Sequence, residues 1–180
     1  MGSNSDKVES IAGRVGRSAR AVKAEDIVIE IETQLSGQSI AAIYQNKILS
    51  QRTRQYELRA TGKTAKVEIL HTLLGIELKI GNRRLLCPDL ATARYLSIFA
   101  FAGCEVIAVP YDITQISRLA DELESSWHRM LLLVEHFAVG RTPRLRAVIK
   151  RKLIENTRAE IIKLGAGTKF PQFNQKTKQR

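Results

Sequence analysis

Seven apolar residues, Ile116, Ala120, Leu123, Trp127, Met130, Val134 and Phe137, follow one another by alternate steps of four and three. That spacing lays them along one side of an α-helix about six turns long. An apolar stripe of that length has to be covered. Either the rest of the chain packs on it, or a protein partner or a second copy does, which would make the chain an adaptor or assembly subunit docking through Ile116–Phe137. Asp112 with Gln115 three residues on has the form of a capping box before the helix, and Gly140 stops it. Thr142 and Pro143 then supply the N-cap and first position of a second long helix, which runs to about Leu164 before Gly165-Ala166-Gly167.

Upstream the pattern changes period. Residues 24–35 open with Glu25 and Asp26 and are followed by Gly37, a helix signature, although Ile27, Val28, Ile29 and Ile31 also suit a strand; we assign a helix. Residues 39–49 fit a strand or a short helix. Residues 53–60 and 65–71 flank Thr61-Gly62-Lys63-Thr64 and predict a hairpin of two antiparallel strands. Gly75–Ile80 alternates Ile76, Leu78 and Ile80 inward with Glu77 and Lys79 outward, and Gly81-Asn82 turns it into a strand over Arg83–Cys87. Asp89 caps a helix that Gly103 ends, and the apolar run Val106–Val109 reads as a buried strand. The fold class is therefore α+β: an antiparallel meander sheet with a covering helix, a buried strand, a long amphipathic helix and a basic C-terminal helix.

The chain has 180 residues, 44% of them apolar, enough to bury a core without disulfides or a structural metal. Cys87 and Cys104 make no disulfide framework, the apolar runs are too short to span a bilayer, and no stretch resembles a signal peptide. The expected setting is cytoplasmic, without a membrane partner. Charge divides the chain further. Residues 1–23 read as a flexible basic arm, 24–137 as the α+β core, 138–164 as a basic helix and 165–180 as a disordered basic tail. Of the formal charge of +11, residues 138–180 hold the largest share, with acids only at Glu155 and Glu160.

A basic excess concentrated at the ends of a chain points to a polyanion, because clustered Lys and Arg release counterions from a phosphate backbone without reading sequence. Arg144, Arg151 and Arg158, seven residues apart, fall on one side of the last helix, with Arg141, Lys150 and Lys152 beside them. Leu145, Ile149, Leu153 and Leu164 lie on another arc, available for docking. Lys169, Phe170 and Phe173 join cation and aromatic rings in a way that suits unpaired bases, or that pins the tail onto the domain. The expected partner is DNA or RNA held by its backbone. That role asks for no cofactor.

The order helix, three antiparallel strands with Glu77-Leu78-Lys79 on the third, helix and buried strand resembles the core of the PD-(D/E)xK nuclease superfamily over about residues 24–110. By that resemblance Glu68 and Glu77 would bind Mg²⁺, Lys79 would position the attacking water, and Glu30 or Glu32 would be the helix acid. Other chemistry is not indicated. Gly62-Lys63-Thr64 lacks the earlier glycine of a phosphate-binding loop, and Cys87, Cys104, His71, His128 and His136 have no zinc spacing.

Overall fold

The structure, a computed structural model, describes residues 23–58 and 66–167. The element order is α1 (Ala24–Leu35), α2 (Ile40–Ile43) running on into a π-helical turn (Tyr44–Ile48), β1 (Thr53–Glu57), β2 (Val67–Thr72), β3 (Gly75–Ile80), β4 (Arg83–Cys87), α3 (Leu90–Ala102), β5 (Val106–Pro110), α4 (Ile116–Phe137) and α5 (Pro143–Leu164). It is an α+β fold with an antiparallel meander, β2–β3–β4, and a separate antiparallel pair, β1–β5. The helix assigned to 24–35 forms, and 39–49 resolves in favour of helix.

α3 lies at the centre. Asp89 starts it by accepting a hydrogen bond from the Thr92 amide (2.6 Å), and Gly103, at φ 75°, ends it in the left-handed region that glycine adopts without strain. Leu96, Phe99 and Ala100 are buried, as are Tyr95 and Ile98 on other sides of the same helix. Such all-round burial is possible because the meander packs on one side of α3 and α4 on another. Arg94 fastens the second of these interfaces, donating to Asp121 (2.7 Å) and Glu124 (2.5 Å) of α4.

The apolar stripe of α4 faces this core. Ile116, Ala120, Leu123, Trp127, Met130 and Val134 are all buried, and Trp127 stacks on Phe101 of α3 with ring centroids 5.5 Å apart. The stripe is spent inside the chain, so the Ile116–Phe137 seam is not a free surface for a partner. Asp112 caps a 3-10 turn, Ile113–Gln115, through Thr114, and α4 starts after it without a side-chain cap, which corrects the expected capping box.

Among the described residues the expected hairpin between β1 and the strand after it does not form. β1 pairs antiparallel with β5, from Thr53 opposite Pro110 to Glu57 opposite Val106; residues 59–65 lie outside the described residues. The reason is the burial of β5. Ile107, Ala108 and Val109 are enclosed, and a buried strand must find partners for its backbone on both edges. β1 serves one edge. Two tyrosines serve the other. The Ala108 amide donates to Tyr44 Oη (2.8 Å), and Tyr95 Oη donates to the Ala108 carbonyl (2.7 Å). Tyr44 Oη in turn donates to the Gly165 carbonyl just past α5 (2.7 Å), and Phe99 sits between the two rings.

Replacing Tyr44 by Phe keeps the ring packing and leaves the Ala108 amide and the Gly165 carbonyl unpaired. Urea unfolding should show a loss of about 1–3 kcal/mol, with the dependence on denaturant unchanged. Tyr95→Phe, which orphans one carbonyl alone, should cost less.

Candidate nucleic-acid interface

α5 begins as the sequence indicates, with Thr142 accepting from the Leu145 amide (3.3 Å) and Pro143 in the first turn. Its inward side is Ile149, Leu153, Ile154 and Ile161, all buried, with Leu145 and Leu164 partly so. Ile154 and Ile161 widen the docking arc beyond Leu145, Ile149, Leu153 and Leu164, because α5 packs against four helices, α1, α2, α3 and α4. The adjoining arc of the helix carries Arg144 and Arg151, both exposed, and Arg158, half-buried next to Ile154 and Ile161. Seven residues of helix separate successive arginines by about 10.5 Å along the axis. The three expected cations therefore form one stripe.

The neighbouring cations are not all alike. Lys152 is ion-paired to Glu25 of α1, and Arg146, which spacing had not singled out, to Glu135 of α4 (2.8 Å). Arg151 has an i, i+4 carboxylate, Glu155, at 3.9 Å. Arg141 Nε donates to the Phe137 carbonyl (3.2 Å). Arg144 and Lys150 are exposed and have no ion-pair partner among the described residues. Solvent-exposed pairs of this kind are worth little, so a phosphate can displace the carboxylate at small cost. No spacing rule reveals Glu25 or Glu135 as partners, since both come from other helices.

Arg158 also lines a cleft of about 440 Å³ at the end of α5, together with Ile161, Ile162, Gly103, Val106 and Ala166. Cys104 is buried nearby. Burial pushes its thiol up to about 12, against the opposing influence of the Arg158 charge. Beyond the cleft, Gly167 packs so closely on the β1–β5 pair that a Cβ there would stand 2.5 Å from Thr53 Oγ1. The last described residues are thus held beside the cation that ends the stripe. Lys169, Phe170 and Phe173, and the basic arm before Lys23, lie outside the described residues.

Glu68, Glu77 and Lys79 share the outward face of the meander: Glu68 pairs across from Lys79, and Glu77 lies diagonal to Glu68, roughly 7–8 Å away between backbones. Their charges are already engaged. Glu68 is bridged to Lys66 (2.7 Å) and Lys79 (3.4 Å), which hold its carboxyl below the usual range, and Glu77, 8% exposed rather than solvated, meets Arg84 at 3.4 Å. The described residues contain no group of three or more His, Cys, Asp or Glu placed to hold a metal. This donor set does not fit a Mg²⁺ site: two diagonal carboxylates, joined by no third acid or His among the described residues, do not converge on one point. Glu30 and Glu32 are not brought to the sheet either, being bonded to Gln34 of α1 and Asn156 of α5.

A second cleft, about 500 Å³, opens between the π-helical turn and α4, lined by Gln38, Asn46, Lys47, Glu122 and Arg129 among others. Its polar groups are engaged by neighbours, Lys47 by Glu122 (2.7 Å), Arg129 by the Gln38 side-chain carbonyl and Asp121 by Arg94 (2.7 Å). No helix among the described residues is long and apolar enough to cross a membrane. Compared with known proteins, the chain matches no family model, no curated protein and no solved structure.

The seam between α1 and α5 gives a pH test of the packing that holds the stripe. Burial, and then the negative charge of Glu32, raise the Glu160 carboxyl above its ordinary value. A group with a raised folded pKa binds its proton more tightly when folded, so it lowers stability as pH climbs through the carboxylate range. Glu160→Gln should therefore raise the melting temperature at pH 7, and the gain should vanish below about pH 4, where the carboxyl is protonated in both states.

Proposed function

We propose that this protein binds nucleic acid through the phosphate backbone, using the outward side of α5. The observation that carries this reading is the division of α5 into two sides. Ile149, Leu153, Ile154 and Ile161 are buried in the core, while Arg144, Arg151 and Arg158 line up along the adjoining arc, with Lys150 and Arg141 exposed nearby. A helix held rigidly by its apolar side presents cations at fixed intervals, so their positions need not be ordered at the moment of binding. Lys152 adds a cation that Glu25 releases to a phosphate. Lys169, Phe170 and Phe173, outside the described residues, add by composition a cation and two rings of the kind that suits unpaired bases. The partner is DNA or RNA. Recognition is by charge and backbone geometry, and no cofactor takes part.

The double variant Arg144→Glu and Arg151→Glu tests this directly. It should weaken binding to labelled DNA and RNA oligonucleotides by at least about tenfold at moderate salt while leaving the thermal unfolding midpoint nearly unchanged. Intact strands after incubation with Mg²⁺ are expected. Unchanged affinity in the double variant would contradict the reading, and Mg²⁺-dependent cutting lost in Lys79→Ala would transfer the function to the face bearing Glu68 and Glu77.

A further inference from the structure

The two sheets treat their open edges differently. Tyr44 and Tyr95 close the inner edge of β5 at Ala108. Among the described residues β4 has no such cover. The two-residue turn Gly81-Asn82 makes Ile80 and Arg83 a hydrogen-bonded pair, and the alternation of an antiparallel ladder then assigns the remaining ladder bonds to Leu78 with Leu85 and Ile76 with Cys87. Arg84 and Leu86 consequently aim their amides and carbonyls away from β3. None of these four groups has a partner among the described residues.

Side chains at this edge add a second observation. Leu86 is 64% exposed and lies against the start of β3, its Cδ1 3.7 Å from where a Cβ on Gly75 would be. Next to it the turn joining β2 and β3 carries Leu73 and Leu74, 107% and 81% exposed, where turn chemistry favours Asn and Gly. Two residues from Leu86 on the same face is Arg84, an exposed cation whose ion pair with Glu77 is a long 3.4 Å, and Arg83 is exposed beside it. Apolar surface stands at one end of the open edge and guanidinium charge at the other.

We propose that the open edge of β4 is a docking site for an extended acidic segment of another protein, which adds to the meander as a fourth strand. The backbone of that segment bonds to Arg84 and Leu86, an aliphatic side chain rests beside Leu86, and a carboxylate two residues along meets Arg84. Charge selects this occupant. A second copy pairing antiparallel along the whole of β4 sets its Leu86 opposite Arg84 and its Cys87 opposite Arg83, so neither guanidinium meets a carboxylate. A bilayer would take Leu73 and Leu74 but would leave the polar backbone edge unsatisfied. The proposal is independent of the reading of α5.

The test uses the full chain and a fluorescein-labelled peptide, Thr-Val-Thr-Glu-Thr-Val-Thr-Glu-Thr, which alternates Val and Glu on one face. Fluorescence anisotropy should show saturable binding, weakened at least about tenfold when the Val and Glu amides are N-methylated or when Lys replaces Glu. Leu86→Pro, which removes an outward amide and no ladder bond, should weaken it likewise. The N-methylated peptide keeps the test decisive if that variant fails to fold. No saturable binding, or equal binding of the N-methylated or Lys peptides, overturns the proposal. So does a dimer that Leu86→Pro dissolves, or binding to phosphatidylserine vesicles that is lost in Leu73→Ser with Leu74→Ser.

Discussion

A single hydroxyl, on Tyr44, joins the most enclosed strand of the molecule to the end of its most basic helix. β5 can be buried only if both of its edges are paired, and a two-stranded sheet offers a partner on one edge alone. Tyr44 and Tyr95 supply the other from opposite directions, one accepting and one donating at Ala108. The second bond of Tyr44, to the Gly165 carbonyl, places the end of α5 against the same strand. Burial pushes the phenol up to about 12, so this bridge keeps its proton across the physiological range. The end of α5, with Arg158, Ala166 and Gly167 beside it, is anchored by that connection.

Much of the helical frame can be read from sequence, because its causes are local. The four-and-three stepping from Ile116 to Val134, the Asp89 and Thr142 caps and the stop at Gly103 are each decided within a few residues. The sheet is less legible. Gly62 between two strand-like runs is a local hairpin signal, yet β1 pairs with β5 some fifty residues away, because a buried edge left unpaired costs more than a favourable turn contributes. Tyr44 carries no pattern that marks it, and it opens a π-helical turn, Tyr44–Ile48, that no local signal in the sequence announces.

The candidate site was legible to the same extent. Arg144, Arg151 and Arg158 share a side of α5 because a seven-residue interval is nearly two helical turns, a property of the sequence alone. What spacing could not show is which cations are already neutralised. Glu25 reaches α5 from a helix more than a hundred residues earlier and Glu135 from the end of the preceding helix, and Glu77 is enclosed in the meander rather than solvated, where it pairs with Arg84. Sequence assigned residue types to faces; packing decided which charges remain available.

The central claim is that the stripe on α5 meets phosphates as fixed point charges. The most direct measurement is the dependence of the association constant for a DNA or RNA duplex on salt concentration, for the wild type and for Arg144→Ala with Arg151→Ala. The account predicts a steep linear fall of log K with log salt in the wild type, and a slope smaller by about two in the double variant, one for each phosphate that no longer meets an arginine. A wild-type slope near zero, or an identical slope in both proteins, would contradict it.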